Sequence, residues 1–275
     1  MTKIFLDSGS PKHTKETLSH VYLDGQTTNP SLFAKHPKAQ ECLQDGVTCN
    51  NDDLLKIYKD IILEIYELIP EGDISVEVYA DSTTSAQDMI DQAEVIKTWI
   101  PNPFIKLPIT QEGLKAAHIL SSEGVNINMT LCFSQEQAMA VHSATKGSTG
   151  KVFVSPFIGR LDDKGVRGID LIEHILADYQ KIDSHVSVLA ASVRSLEHMQ
   201  QIFELNTDIV TASKDLIVKW VQLEDNIEMT EEEQTAIEYK ELEVHEDWTQ
   251  YNISHELTDV GLQKFADDWN KLIKQ

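Results

Sequence analysis

The chain has 275 residues, a hydrophobic fraction of 41% and a formal net charge of −22. That length is enough for one large domain with a full core. The charge argues against nucleic acid or an anionic membrane as a general partner, and any phosphate-bearing ligand would need locally concentrated positive charge.

The first apolar run, Ile4-Phe5-Leu6, reads as a strand ending at Asp7, with a polar helix over 14–20. Val21-Tyr22-Leu23 reads as a second strand, and the loop from Asp24 to Asn29-Pro30 follows it. Asn51-Asp52 is set to cap a long amphipathic helix carrying Leu54, Tyr58, Ile61, Ile62 and Ile65. A third strand over 75–79 precedes a helix near 86–99. The fourth strand is Phe104-Ile105-Lys106-Leu107-Pro108, bounded by Asn102-Pro103 and Pro108. Then come a helix over 111–121 stopped by Gly124, a strand over 125–129 and a helix over 135–144. A strand over 152–154 with a helix over 169–179, one over 186–189 with a helix near 196–203, and one over 208–210 with a helix over 214–221 complete the series.

Eight alternations of strand and helix call for parallel strands with crossover helices. At this length they predict an α/β fold, a single (β/α)8 TIM barrel occupying 1–275. Two stretches lie outside the alternation. An acidic excursion within 222–254, densest at 224–246, reads as solvated and partly helical. A terminal amphipathic helix over 258–273 takes Thr258 as N-cap and carries Leu262, Phe265, Trp269 and Leu272 on one side.

Cys42, Cys49 and Cys132 form no C-x-x-C pair, and this odd, sparse set predicts free thiols in a reducing compartment. The N-terminal residues lack a signal-type apolar region, and no apolar run reaches the length of a bilayer span. The expectation is a cytoplasmic protein without a membrane partner. A homo-oligomer is left open.

Lys106 is the unusual residue of the fourth strand, because burying an ammonium is costly. It either snorkels or pairs with a carboxylate, or it is a desolvated amine able to attack a carbonyl and form a Schiff base. Polar groups at the other strand ends bear on that choice, since barrel chemistry gathers where strands run into the βα-loops. Asp7 ends strand one and Asn29 follows strand two. Glu77 lies on strand three, and Asn128 and Thr130 share a face on strand five. Ser155 and Arg160 follow strand six; Ser192 and Arg194 follow strand seven. Each has a plain alternative. Asp7 could cap a helix, Asn29 could form only a turn, Glu77 could be a structural partner of Lys106, and the arginines could be surface charge. Together they supply what aldol chemistry needs: an amine to make an iminium, acids to move protons, amides and hydroxyls to hold a ketose, and guanidinium groups for a distal phosphate. Arginine occurs only at Arg160, Arg167 and Arg194, so each one is informative.

These residues lie in segments that resemble the transaldolase family. The segments are Asp24-Gly25-Gln26-Thr27-Thr28-Asn29-Pro30-Ser31-Leu32, Ser75-Val76-Glu77-Val78, Ile105-Lys106-Leu107-Pro108-Ile109-Thr110-Gln111-Glu112-Gly113-Leu114, Asn128-Met129-Thr130-Leu131-Cys132-Phe133-Ser134 and Ser155-Pro156-Phe157-Ile158-Gly159-Arg160. The resemblance implies an aldolase-type barrel that transfers a dihydroxyacetone unit between sugar phosphates, without cofactor or metal, in the pentose phosphate pathway. It implies Lys106 as the Schiff-base lysine and Asp7 as the base on the donor's C4 hydroxyl. Glu77 and Thr130 would position a proton-shuttling water. Asn29, Asn128 and Ser155 would hold the dihydroxyacetone moiety, and Arg160, Ser192 and Arg194 the phosphate. In the family, phenylalanine at the position of Phe157 and glutamate at that of Glu77 go with transfer. Tyrosine and glutamine there go with fructose 6-phosphate cleavage. Val193, Ser195 and Ala212 depart from the family pattern at the phosphate end. The same-fold alternative is a fructose 6-phosphate aldolase; the different-class alternative is a non-catalytic sugar-phosphate-binding barrel.

Overall fold

In the computed structural model, which describes residues 1–223 and 234–273, eight strands follow one another around a closed barrel in chain order. They are β1 (Lys3–Asp7), β2 (Gly25–Thr27), β3 (Asp73–Glu77), β4 (Phe104–Pro108), β5 (Asn126–Cys132), β6 (Val152–Pro156), β7 (Val186–Val193) and β8 (Ile209–Ala212). All neighbours pair in parallel, and β8 returns to β1 to remove the sheet edge. The (β/α)8 TIM barrel expected from the alternation is the fold observed.

Outward-facing Leu6, Val76, Ile105, Leu107, Met129 and Val154 are fully buried beneath the helices. Inside, an aromatic layer forms the floor. The Phe104 and Phe153 rings stack at 4.1 Å, and Phe5 meets Phe153 edge-on at 6.1 Å. Gly25 is required there, since a Cβ would lie 2.6 Å from the Phe5 ring and 2.3 Å from the Asp73 carbonyl. Two residues further along β1 and β4, on the same inward face, come Asp7 and Lys106. The floor therefore seals the barrel beneath the polar groups.

Element ends differ from the sequence reading in four places. β2 is Gly25–Thr27, not the run at Val21-Tyr22-Leu23, where Tyr22 is exposed. Its side chains are polar but satisfied: Gln26 accepts from Thr14 Oγ1 at 2.8 Å and donates to the Ser8 carbonyl at 2.6 Å. The long helix is capped by Asn50 rather than Asn51, in a reciprocal capping box with Asp53. The terminal helix runs Glu256–Asn270 with His255, not Thr258, as N-cap. Thr258 instead turns inward and donates to the Leu131 carbonyl at 2.9 Å. A short helix, Ile158–Asp162, follows β6 ahead of the crossover helix Gly168–Lys181.

The acidic excursion falls partly outside the described residues, at 224–233. The rest, 234–246, forms no helix and lies along the helices Gln135–Ala144 and Gly168–Lys181. Its backbone is held by buried side chains: Asp170 accepts from Ile237 N at 2.9 Å, and Gln135 accepts from Lys240 N at 3.1 Å. Such side-chain-to-backbone fastening leaves no periodic signal in a sequence.

Cys42 and Cys49, expected as free thiols, form a disulfide with Cα atoms 5.5 Å apart. The turn Glu41–Leu43 and the chain's return to Asn50 bring them together, so these two cysteines give no support to a reducing compartment. Cys132 is free and buried, and burial pushes its thiol up to about 12. Among the described residues no helix is long and apolar enough to cross a membrane, and no group of three or more candidate metal ligands gathers.

Candidate active site

Strand register assembles the centre of the site. Glu77, Lys106 and Asn128 pair across β3, β4 and β5, while Thr130 pairs with Ser155 across β5 and β6. All five are buried, Lys106 at 3% exposure and Glu77 at 5%. Lys106 Nζ lies 2.9 Å from Glu77 Oε2 and donates to the Thr28 carbonyl at 3.2 Å. The Lys106 ammonium is thus the close partner of Glu77 Oε2. Burial raises the Glu77 carboxyl pKa, and Lys106 only offsets that shift. Among the described residues, buried Thr130 Oγ1 has no hydrogen-bond partner.

A second polar chain runs through the barrel interior. Asn128 donates to Ser75 Oγ at 3.0 Å and accepts from Ser155 Oγ at 2.7 Å. This fixes the amide and joins β3, β5 and β6. Across the barrel, Asp7 Oδ1 accepts from Thr27 Oγ1 at 2.8 Å, and Thr27 Oγ1 lies 2.7 Å from Thr211 Oγ1 on β8. Burial raises the Asp7 pKa above the ordinary carboxylate range; Lys106, the Thr27 hydroxyl and Lys35 oppose the shift.

A cavity of about 300 Å³ opens above these groups at the C-terminal mouth of the barrel. Asp7, Asn29, Lys106, Ser155, Phe157, Arg160, Ser192 and Arg194, all singled out in the sequence, line it. Glu77, Thr130 and Asn128 stand behind that first layer. Asn29 also caps the helix Pro30–Ala34 by accepting from Leu32 N at 2.9 Å, a structural role other than the simple turn that was its plain alternative. Arg160 lies with its guanidinium 5.1 Å from the Phe157 ring and 5.5 Å from that of Phe265. Arg194 is ion-paired with Asp163. Arg167 lies outside the cavity, 2.6 Å from Asp170.

Local backbone irregularities aim the strand ends. Pairing shifts register between Thr130 and Cys132 on β5 and between Ala190 and Val193 on β7. Leu131 and Ser192 take left-handed backbone there, at φ 63° and 57°. Such bulges at a barrel rim re-aim the side chains beside them. Of the departures from the family pattern, Ser195 caps the helix Leu196–Glu204, while Val193 and Ala212 are buried opposite each other on β7 and β8.

Sequence reasoning missed Thr27, Lys35, Thr211, Lys264 and Phe265, which also line the cavity. The period-two phase of Thr211 with Ile209 could have flagged the first kind of residue. Nothing in the sequence could have flagged Lys264 and Phe265, which arrive on the terminal helix.

A family model for transaldolase/fructose-6-phosphate aldolase matches residues 4–275. A probable transaldolase of Dehalococcoides mccartyi is 34% identical over 272 residues, covering 99% of this chain and all of the relative. One of Brucella ovis is 34% identical over 269 residues, covering 98% and 97%. Among solved structures, thiamine phosphate pyrophosphorylase from Pyrococcus furiosus superposes with a TM-score of 0.50 at 10% identity, over 79% of this chain and 93% of that one, a likeness of fold alone. Shared sequence along nearly the whole chain, and a closed eight-stranded barrel, place this protein in the transaldolase/fructose-6-phosphate aldolase family.

Proposed function

We propose that the protein is a transaldolase that moves a dihydroxyacetone unit from a ketose phosphate to an aldose phosphate through a Schiff base on Lys106. The observation that carries this reading is a buried lysine 2.9 Å from a buried carboxylate, lining one cavity with a second carboxylate, Asp7.

The donor is fructose 6-phosphate or sedoheptulose 7-phosphate, and the acceptor is erythrose 4-phosphate or glyceraldehyde 3-phosphate, as in the pentose phosphate pathway. Lys106 passes a proton to Glu77 and attacks the C2 carbonyl, giving a carbinolamine. Return of protons through Glu77 expels the C2 oxygen as water and leaves an iminium. Glu77, paired with Lys106, and Thr130 Oγ1, without a hydrogen-bond partner among the described residues, suit a relay through one water molecule. Asp7 then takes the C4 hydroxyl proton. The C3–C4 bond breaks, its electrons enter the iminium to form an enamine, and the aldose phosphate leaves. The enamine attacks the acceptor aldehyde, and hydrolysis of the new iminium releases the product. Asn128, Ser155 and Asn29 hold the dihydroxyacetone hydroxyls. Arg160 and Arg194, with Ser192, take the phosphate, and their clustering meets the need for local positive charge in a chain of net charge −22.

A coupled assay with fructose 6-phosphate, run with and without erythrose 4-phosphate, tests the reading. Turnover that requires the acceptor supports transfer. Equal turnover without acceptor makes the protein an aldolase, and no turnover of either kind makes it a binding barrel.

A further inference from the structure

The terminal helix Glu256–Asn270 is not a strand-following element of the barrel, yet it closes one side of the cavity with Lys264 and Phe265. It is fastened to the mouth at several points. Ser31 Oγ donates to Asp268 Oδ2 at 2.5 Å, beside the Asn29 loop. Trp269 Nε1 donates to Asn51 Oδ1 at 2.9 Å, and Thr258 Oγ1 to the Leu131 carbonyl at 2.9 Å. A helix held this firmly can locate another side chain.

Arg160 is the side chain it locates. Among the described residues Arg160 has no carboxylate in ion-pair contact, so no salt bridge orients its guanidinium. Its plane instead lies among the Phe157 ring at 5.1 Å, the Phe265 ring at 5.5 Å and the helix backbone at Gly261. A Cβ on Gly261 would stand 2.4 Å from Arg160 Nη1. The absence of a side chain at that one position is what allows the guanidinium to lie against the helix. A planar fork with fixed donor directions holds an oxyanion well only when its own plane is set.

We propose that Phe265 and Gly261 are positioning residues for Arg160, so that the terminal helix sets the preference for phosphorylated over unphosphorylated substrates. The inference rests on reading Arg160 as a phosphate ligand, and the test separates the two. The variants are Gly261→Ala, Phe265→Leu and Arg160→Ala, each assayed with fructose 6-phosphate and with dihydroxyacetone as donor, in both cases with unphosphorylated glyceraldehyde as acceptor. The atoms nearest a Cβ at Gly261 are the ends of the Arg160 and Leu131 side chains, and alanine gains helix propensity, so Gly261→Ala displaces the guanidinium. Phe265→Leu removes one ring face by a different route.

For both helix variants the expected result is a KM for fructose 6-phosphate raised about tenfold with kcat within about threefold, and efficiency with dihydroxyacetone within about twofold of wild type. Unchanged KM in both variants, while Arg160→Ala shows the phosphate-selective loss, overturns the inference and leaves the role of Arg160 standing. Equal losses on both donors in the helix variants also overturn it. An Arg160→Ala variant without phosphate selectivity overturns the reading of Arg160 and the inference with it.

Discussion

Lys106 Nζ and Glu77 Oε2 lie 2.9 Å apart inside the barrel, each side chain almost wholly withdrawn from solvent. The same geometry serves a structural ion pair and a nucleophile with its proton acceptor, and the two roles predict different chemistry. Borohydride added with fructose 6-phosphate should inactivate the enzyme and leave a reduced adduct on Lys106, located by peptide mass spectrometry. Lys106→Met should lower kcat by roughly 10⁴-fold or more. Lys106→Arg should fail equally, since a guanidinium is no nucleophile near neutral pH. An adduct on another lysine would refute the assignment. Removing the ammonium also strands a buried carboxylate, at a cost of about 3–5 kcal/mol. Adding Glu77→Gln to Lys106→Met should recover much of that stability in urea denaturation while activity stays lost.

Arg194 and Arg167 form a matched pair of tests. Arg194 lines the cavity beside Arg160, whereas Arg167 sits outside it at the start of the helix Gly168–Lys181, bound to Asp170. Arg194→Ala should lower kcat/KM for phosphorylated donors by about 10–100-fold, the worth of a charged hydrogen bond, and spare dihydroxyacetone. Arg167→Ala should leave both donors alike. Steady-state kinetics with the two donors decides whether the cationic side chains recognise phosphate.

Asp7 makes a prediction about pH. Burial raises its carboxyl pKa in the folded protein, and Lys106 and Thr27 offset this only in part. The folded state therefore binds the proton more tightly than the unfolded chain does. The ionised carboxylate costs stability above the folded-state value, and this cost vanishes below the unfolded value of about 4. Asp7→Asn should thus melt higher than wild type at pH 7.5, with the difference shrinking as the pH falls toward 4. If Asp7 is the base on the C4 hydroxyl, the same variant should lose aldol cleavage. A lower melting temperature at pH 7.5 would mean that the contacts to Thr27 and Lys106 outweigh desolvation.

Much of this site was readable because burial makes certain residues costly. Lys106 stood out as one charge in an apolar strand, and Asp7, Asn128 and Thr130 as polar residues in phase with inward positions. β2 was misplaced because Gly25-Gln26-Thr27 has neither apolar content nor alternation. It is a strand only because Gly25 admits the Phe5 ring and because Gln26 and Thr27 find partners on other elements. Phe265 was read as one of the apolar residues on one side of a terminal helix, which is correct. Its place beside Arg160 depends on where that helix lands, and amphipathic periodicity carries no such information. The Cys42–Cys49 pair, seven residues apart, depends on a turn that no motif announces.

Phe157 provides a test of transfer against cleavage. In the proposed mechanism, once the C3–C4 bond has broken, the enamine on Lys106 waits either for an aldehyde or for a proton and water. The ring of Phe157 lines the cavity at the start of the helix Ile158–Asp162, 6.0 Å from the Phe133 ring and 5.1 Å from the Arg160 guanidinium. A phenyl edge cannot hold a water molecule, whereas a phenol at the same place could both hold and orient one. Phe157→Tyr should therefore raise the ratio of free dihydroxyacetone released to dihydroxyacetone transferred by about two- to tenfold, the range that one added hydrogen bond delivers. Glu77→Gln should shift the ratio the same way if, as the family resemblance implies, glutamate at this position goes with transfer. Dihydroxyacetone release from fructose 6-phosphate without acceptor, compared with erythrose 4-phosphate consumption, measures both ratios. If Phe157 serves only to pack against Phe133 and Arg160, the tyrosine variant loses cleavage and transfer together and the ratio does not move. Rapid release by the unsubstituted protein would make it an aldolase, and the transfer reading would fall.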